Sequence, residues 1–191
     1  MPVYNRFHMP NIRNGNQPWW YSFEYGLVHF TILSSEHNFT YGSLQYAWLK
    51  NDLESVDHSR TPWLILILHR PIYSSLRHIT DFEVTTRLRV ALEELLYYNK
   101  VDLVIAGHNH VYERSCPVYR QLCRDRAPTY VVVGSGGFEL ENLGIWDFGW
   151  CEYFESNHGY GRVSVVDRKS LLWEFVRNKD NTVTDKVWLH H

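Results

Sequence analysis

Three histidines stand at positions from which they could bind a metal ion. His69 directly follows an unbroken apolar run, Trp63 to Leu68, and His108 and His110 follow a second run, Val101 to Ala106. Neutral imidazole is the commonest metal ligand in proteins. Because residues i and i+2 at a strand end project to the same side, His108 and His110 are predicted to face one metal centre or two neighbouring ones.

The elements around these histidines predict that they meet. An unbroken apolar run is typical of a strand buried on both faces. Between the two runs, apolar residues recur at helical spacing, among them Val84, Leu88, Leu92 and Leu96. Strand, helix and strand in this order form a crossover unit with parallel strands, so both C-terminal strand ends lie on one sheet edge. We therefore expect His69 and the other two histidines in the crevice beyond that edge, where open α/β sheets bind ligands.

The rest of the pattern predicts an α/β fold with more sheet than helix. Further strands are predicted over residues 19–25, 27–33, 130–133, 161–166 and 171–176, and a further helix over residues 43–56. The sequence contains no internal repeat or linker. A single domain over residues 1–191 is therefore the simplest division.

Charge and hydropathy argue against two classes of partner. The formal net charge is −2 and is spread without long runs of one sign, whereas a nucleic-acid binder needs a basic footprint. A membrane span needs roughly 20 apolar residues, and the longest apolar run here is Trp63 to Leu68. We expect neither nucleic acid nor membrane as a partner. The start of the sequence also lacks the charged-then-apolar pattern of a secretory signal.

Cysteines and a glycosylation acceptor bear on the cellular compartment. Cys116 and Cys123 could close a short loop, with Cys151 free or paired elsewhere, and all three could equally be reduced thiols. Asn38-Phe39-Thr40 is an acceptor for N-glycosylation, although so short a motif also arises by chance. Together these features favour the secretory pathway.

The residues around the histidines resemble those of a known enzyme family. Leu68-His69-Arg70-Pro71 and Gly107-His108-Asn109-His110-Val111-Tyr112-Glu113-Arg114 are similar to the last two metal-binding motifs of the purple acid phosphatases, within the calcineurin-like metallophosphoesterases. Other segments resemble family landmarks in the same order, from Asn5-Arg6-Phe7 to Arg60-Thr61-Pro62-Trp63. The resemblance covers almost the whole chain.

This resemblance implies a fold, a cofactor and roles for single residues. The fold would be part of a metallophosphoesterase β-sandwich with mixed sheets and flanking helices, in which residues 127–191 are the family's C-terminal region. The cofactor would be a binuclear centre of Fe(III) with a divalent ion, Zn, Fe or Mn. His69 and His108 would bind the divalent ion and His110 the ferric ion. His78, matched by position only, would contact the substrate phosphate. Family members are secreted, vacuolar or lysosomal.

The sequence also departs from the family pattern. Three earlier motifs, which supply two aspartates, a tyrosine and an Asn-His pair, are not found, and the chain begins just after the place where the Asn-His pair would lie. We therefore expect an N-terminally truncated catalytic domain. Because paired cations normally need a bridging carboxylate, this chain alone is expected to bind metal poorly. Unpaired sheet edges are expected to make it poorly soluble.

Three functions stay open at this point. The first is an acid phosphatase that hydrolyses small phosphate monoesters. The second is an inactive fragment or pseudoenzyme that serves as an interaction module, which the missing aspartates favour. The third is another calcineurin-like enzyme, such as a phosphodiesterase, against which the continuation Tyr112-Glu113-Arg114 argues. The sequence fixes neither the physiological substrate nor the oligomeric state.

Overall fold

The computed structural model describes Arg6, Met9, Gly15–Asn16 and residues 19–191. Asn5 and Phe7, which belong to one of the family landmarks, lie outside the described residues. The described residues form a layer of two helices, a nine-stranded mixed sheet and a three-stranded sheet. The strands are β1 (Gly15–Asn16), β2 (Trp20–Tyr25), β3 (Val28–Ile32), β4 (Trp63–Leu68), β5 (Leu103–Ala106), β6 (Tyr112–Tyr119), β7 (Leu122–Cys123), β8 (Thr129–Val133), β9 (Cys151–Glu155), β10 (Gly159–Val165), β11 (Ser170–Arg177) and β12 (Val183–His190), and the helices are α1 (Leu44–Glu54) and α2 (Ile79–Tyr98).

The centre of the large sheet is parallel. Its strands follow the order β1-β2-β3-β4-β5-β8-β6-β7, with β9 paired to β6. β3, β4, β5 and β8 run parallel, and α2 is the crossover between β4 and β5. The predicted strand–helix–strand unit is therefore confirmed. The helix α2 begins at Ile79, five residues before Val84, the first residue of the apolar repeat that predicted it.

The other predicted elements are also confirmed. β2 and β3 form an antiparallel hairpin around Gly26, whose φ of +59° favours glycine. The helix α1 lies within the predicted range and is capped by Ser43, whose hydroxyl accepts from the backbone N–H of Tyr46 at 3.1 Å. β10 and β11 form the predicted antiparallel hairpin. Neither helix in the described part of the chain combines the length and apolar character of a segment that crosses a bilayer.

The strand β4 is apolar throughout because it is covered on both faces. Its even-numbered residues, including Leu64 and Leu66, pack with the helices, whereas Trp63 and Ile65 pack with the three-stranded sheet. The residues that cover β4 from that sheet include Trp173, which lies so close to Gly161 that a Cβ there would stand 2.1 Å from the indole. The architecture is therefore the predicted α/β sandwich with flanking helices.

Five strands, β1, β6, β7, β9 and β12, were not predicted, and β6 matters most among them. Tyr112 to Tyr119 pair antiparallel with both β8 and β9. The strand β6 is buried on both faces, and its charges have buried partners. A strand whose charges are satisfied inside the protein shows no alternation of apolar and polar residues.

The strand β6 joins the two sheets through a buried carboxylate. Asp185 of β12 accepts from the Tyr112 hydroxyl at 2.6 Å and from Nε and Nη2 of Arg114 at 2.7 and 2.9 Å. The Trp173 indole N–H donates to the Tyr112 oxygen at 2.9 Å. Asp185 is 8% exposed, so this bidentate pair lies largely out of water.

The cysteines divide into a disulfide and a free thiol. Cys116 of β6 and Cys123 of β7 are bonded, with Cα atoms 5.7 Å apart, and Cys151 is free. Of the two alternatives left open by the sequence, the structure therefore has the short disulfide loop. Burial, followed by the nearby Glu113, raises the pKa of the Cys151 thiol to about 11. This thiol is therefore protonated at ordinary pH and is no candidate nucleophile.

Replacement of Asp185 tests the joint between the sheets. Asp185→Asn keeps the shape of the side chain but leaves the Arg114 guanidinium without its counter-charge. We expect the free energy of unfolding, measured by urea titration, to fall by about 3 kcal/mol. Asp180→Asn is the control, since Asp180 pairs with Arg177 in an exposed turn, and it should change little. If Asp185→Asn lowers the free energy of unfolding no more than Asp180→Asn does, Asp185 does not join the two sheets.

Candidate metal site

His69 and His108 meet at the C-terminal ends of β4 and β5. His69 is the first residue after β4, and Gly107 is the first after β5. The Gly107 backbone N–H donates to the His69 carbonyl at 3.0 Å, which continues the parallel pairing of the two strands. The Nδ1 atom of His108 lies 3.0 Å from Nε2 of His69, with ring centroids 4.8 Å apart. The predicted approach of these two imidazoles is therefore present.

Residues 107–111, which carry His108 and His110, form a tight turn and do not continue β5 as a strand. His108 has a φ of +64°, which is rare for a residue with a side chain. The N–H of Asn109 donates to the Gly107 carbonyl, and the N–H of Val111 donates to the Asn109 carbonyl, each at 2.8 Å. This turn is seated on Gly134, where a Cβ would stand 1.9 Å from the Asn109 carbonyl oxygen. A residue larger than glycine would displace the turn.

The ring of His110 contacts the loop that follows β8. The Nδ1 atom of His110 lies 2.9 Å from the carbonyl oxygen of Glu139, and its ring packs against Phe138 at 5.1 Å. Within the described residues, its ring makes neither a hydrogen bond nor a ring contact with His69 or His108. That His108 and His110 face one metal centre or two neighbouring ones therefore stays a prediction.

Asp81 is a site carboxylate that the sequence reasoning missed. Its Oδ2 atom lies 3.1 Å from Nε2 of His108 and 2.8 Å from Nδ1 of His78. Its Oδ1 atom accepts from Nη1 of Arg70 at 3.0 Å. Asp81 lies in the first turn of α2, where acidic residues are favoured by the helix dipole, three residues after His78. The spacing of three residues between His78 and Asp81 at the start of a helix was the sequence signal that could have identified Asp81 as a site residue.

Glu141 connects His78 with His110 on the other side of the site. One carboxylate oxygen of Glu141 lies 3.6 Å from Nε2 of His78, and the other accepts from the backbone N–H of His110 at 3.0 Å. His78 is the N-cap residue of α2, and about a third of its side chain is exposed. The candidate catalytic histidine therefore lies between two carboxylates, Asp81 and Glu141, beside the candidate metal ligands.

Arg70 places a positive charge beside His108. Its Nε donates to Glu36 at 2.8 Å, and its Nη1 donates to Nε2 of His108 at 3.0 Å. Burial alone would raise the pKa of Glu36, but the hydrogen bond and charge of Arg70 lower it below its ordinary value. Burial, followed by the charge of His108, lowers the pKa of His69. His69 is thus favoured in the neutral form that binds metals.

The donor set fits one cation and does not by itself complete a two-metal centre. Two nitrogen ligands of a tetrahedral zinc ion lie about 3.3 Å apart, close to the 3.0 Å between His69 and His108. A two-metal centre also needs a carboxylate bridge. In the part of the chain that the structure describes, three ligand atoms within 4.8 Å of one another belong only to Cys116, Cys123 and Glu152. The two sulfurs of that group are bonded to each other.

Glu113 fixes the histidine turn from behind. It is 2% exposed, and it accepts from the backbone N–H of Ser75 at 2.8 Å and from the Ser74 hydroxyl at 3.1 Å. The Ser74 oxygen in turn accepts from the side-chain amide of Asn109 at 2.9 Å. Glu113 therefore ties the loop that follows His69 to the turn that carries the other two histidines.

Comparison with known proteins gives matches along most of the chain. The family model of the calcineurin-like phosphoesterases matches residues 3–112, and the model described as iron/zinc purple acid phosphatase-like protein C matches residues 127–186. Purple acid phosphatase 21 of Arabidopsis thaliana is 38% identical in an alignment of 175 positions, which covers 88% of this chain and 39% of that protein. The Fe(3+)-Zn(2+) purple acid phosphatase 12 of the same plant is 32% identical in an alignment of 206 positions, gaps included, which covers 98% of this chain and 43% of that protein.

A solved structure is similar over nearly the whole chain. It is a purple acid phosphatase from yellow lupin seeds, with a TM-score of 0.91 and 29% sequence identity, and the match covers 99% of this chain and 35% of that one. The chain therefore spans about two fifths of the length of the curated relatives named above.

The pH dependence of stability tests the role of Glu113. Burial raises the pKa of Glu113, so its protonated form is favoured in the folded chain. Such a group stabilises the fold below its unfolded pKa, and this contribution is lost as the pH rises through the folded pKa. From about pH 4 upwards, the free energy of unfolding should therefore fall by up to about 1.4 kcal/mol per pH unit relative to Glu113→Gln, which cannot titrate.

The measurement is urea unfolding at a series of pH values. Glu94→Gln is the matched control, since Glu94 is exposed and pairs with Arg120 on the surface. Parallel curves for the unmodified protein and Glu113→Gln contradict the prediction, because they mean that folding does not change the pKa of Glu113.

Proposed function

This chain belongs to the purple acid phosphatases of the calcineurin-like phosphoesterase family, and from that premise we propose an acid phosphatase that hydrolyses small phosphate monoesters at a binuclear metal centre. The observation that carries the proposal is the 3.0 Å approach of His69 and His108 at the ends of two adjacent parallel strands. We propose Fe(III) with a divalent ion, Zn, Fe or Mn, as the cofactor, which agrees with the iron/zinc description of the family's C-terminal model.

The roles proposed for the histidines follow the resemblance to the family. His69 and His108 would hold the divalent ion, and His110 would contribute to the ferric ion. When bound, the ions supply Lewis-acid activation of water and neutralise charge on the phosphate. Asp81 and Glu113 orient this group, Asp81 by its contact with His108 and Glu113 from behind the turn.

Two cationic or proton-carrying side chains stand beside the candidate ligands. Arg70 is partly exposed and contacts His108, so its guanidinium can bind an oxygen of the phosphate group. His78 is partly exposed between Asp81 and Glu141. We propose that His78 orients the phosphate or protonates the leaving oxygen. The substrate partner is therefore a small phosphate monoester.

A second candidate function is an inactive interaction module. The observation that favours it is that, among the described residues, no third His, Cys, Asp or Glu side chain places a ligand atom within 4.8 Å of both the His69 and the His108 nitrogens. A comparison of diester and monoester substrates distinguishes the phosphodiesterase alternative from both of these functions.

We further propose that the protein resides in the secretory pathway or in a vacuole or lysosome. The Cys116–Cys123 disulfide is typical of oxidising compartments. Asn38 is exposed, and its side-chain oxygen accepts from the Thr40 hydroxyl at 2.8 Å. The protein secreted from eukaryotic cells should carry one N-glycan that Asn38→Gln removes, as measured by the mass shift after glycosidase digestion. Secretion without any glycan contradicts the use of this acceptor.

Alanine replacement of the candidate ligands tests the proposed reaction. With Fe and Zn supplied, His69→Ala and His108→Ala should each lower kcat/KM for p-nitrophenyl phosphate at acid pH by more than about a hundredfold, because even the outer partners of metal ligands are worth 10- to 100-fold. His58→Ala is the control, since His58 is exposed in the loop before β4, and its rate should stay unchanged.

Three outcomes of this experiment discriminate the functions. A metal-loaded protein without hydrolysis supports the interaction module. Faster hydrolysis of bis(p-nitrophenyl) phosphate than of the monoester supports a phosphodiesterase. Equal values of kcat/KM for His69→Ala and the unmodified protein contradict the assignment of the site.

A further inference from the structure

The loop between β8 and β9 is bonded to the turn that carries His110. Glu141 of this loop exchanges two hydrogen bonds with His110. Its carboxylate accepts from the His110 N–H at 3.0 Å, and its own N–H donates to the His110 carbonyl at 3.2 Å. The Glu141 carbonyl accepts from the Ser156 hydroxyl at 2.7 Å. The main chain and one carboxylate oxygen of Glu141 therefore have fixed places.

The same loop is paired with the segment that leads to His78. The Trp146 N–H donates to the Ser75 carbonyl at 2.8 Å, and the Arg77 N–H donates to the Gly144 carbonyl at 3.0 Å. The residues between these two pairs form an antiparallel bridge. One loop thus holds two segments that are distant in the sequence, the one before His78 and the turn of the other histidines.

Both ring nitrogens of His78 face a carboxylate. The Nδ1 atom lies 2.8 Å from Asp81, and the Nε2 atom lies 3.6 Å from the second carboxylate oxygen of Glu141. Because the longer distance exceeds that of a hydrogen bond, Glu141 acts on the imidazole through its charge. A half-turn of the ring about the Cβ–Cγ bond would put carbon atoms in the places of both nitrogens. The two carboxylates therefore favour one orientation of the ring.

Partial burial makes the charge of Glu141 effective. The side chain of Glu141 is 22% exposed, and that of His78 is 32% exposed. Charges that are partly out of water are screened less than surface charges. A mobile surface carboxylate contributes little, whereas the carboxylate of Glu141 is held by the His110 N–H. It is therefore placed to act on His78.

We propose that Glu141 is a positioning residue, which fixes the imidazole of His78 relative to the turn that carries His110. One oxygen of its carboxylate holds the turn, and the other orients the ring. The consequence for catalysis rests on the proposed function, in which His78 contacts the substrate phosphate beside the metal ligands. A displacement of about 1 Å in an active site can lower a rate about a hundredfold, so the residue that sets this spacing affects the reaction.

Nuclear magnetic resonance of the whole chain without metal tests the two contacts. Glu141→Ala removes an acceptor, so hydrogen exchange of the His110 amide should become about fivefold faster, as for the loss of one hydrogen bond. Glu141→Gln keeps an acceptor oxygen and should restore the exchange rate of the unmodified chain. A nuclear Overhauser effect between the ring of His78 and the side chain of Glu141 should be present in the unmodified chain.

A double-mutant cycle with Fe and Zn supplied tests the consequence for catalysis. Glu141→Gln removes the charge beside His78 and should lower kcat/KM for p-nitrophenyl phosphate about tenfold. In a His78→Ala background the same change should have less than about a twofold effect, because Glu141 acts through His78. Glu141→Ala should keep an effect in that background, since it also releases the turn that carries His110.

Glu83→Gln is the matched control, since Glu83 is an exposed glutamate two residues after Asp81. It should change neither kcat/KM nor the exchange rate of the His110 amide.

Four results overturn the inference. They are equal values of kcat/KM for Glu141→Gln and the unmodified chain, additive effects of Glu141→Gln and His78→Ala, exchange of the His110 amide that does not respond to Glu141→Ala, and absence of the Overhauser effect. Failure of the unmodified chain to hydrolyse the ester contradicts the proposed function alone. The magnetic resonance measurements need neither metal nor substrate, so they still decide whether Glu141 fixes His78.

Discussion

The parallel pairing of β4 and β5 is the constraint on which the site depends. Each of these strands is buried between the helices and the three-stranded sheet, and the helix α2 connects them as a crossover. Because parallel strands end on the same edge, His69 and His108 are brought within contact although 39 residues separate them. A shift of one strand by a residue would turn its apolar side chains to the wrong layer, so the approach of the imidazoles is fixed by the core.

The strand β6 explains why the histidine motif continues with three further residues of specific type. Successive residues of a strand face opposite sides. Tyr112 and Arg114 therefore reach Asp185 of the small sheet, whereas Glu113 reaches the serines behind the histidine turn. The segment that carries the candidate ligands is thereby anchored in both directions. The positive φ of His108 is held by the surrounding structure.

The elements that the sequence predicts are those with a strong apolar period or a turn residue. The strand β4, the hairpin at Gly26, the helix α1 and the contact between His69 and His108 belong to this group. The unpredicted features depend on tertiary contacts. Buried partners conceal the strand character of β6, and the turn at His108 is set by its fit onto Gly134. Asp81 and Glu141 reach the site only after α2 and the loop after β8 have packed.

X-ray absorption spectroscopy of the chain loaded with Zn²⁺ tests the central claim most directly, namely that His69 and His108 share one cation at the end of two parallel strands. The account predicts scattering from two imidazole rings bound through nitrogen at about 2.0–2.1 Å. Replacement of either histidine should remove one ring from the spectrum. A zinc environment of oxygen ligands alone, or a spectrum that is unchanged when His69 or His108 is replaced, contradicts it.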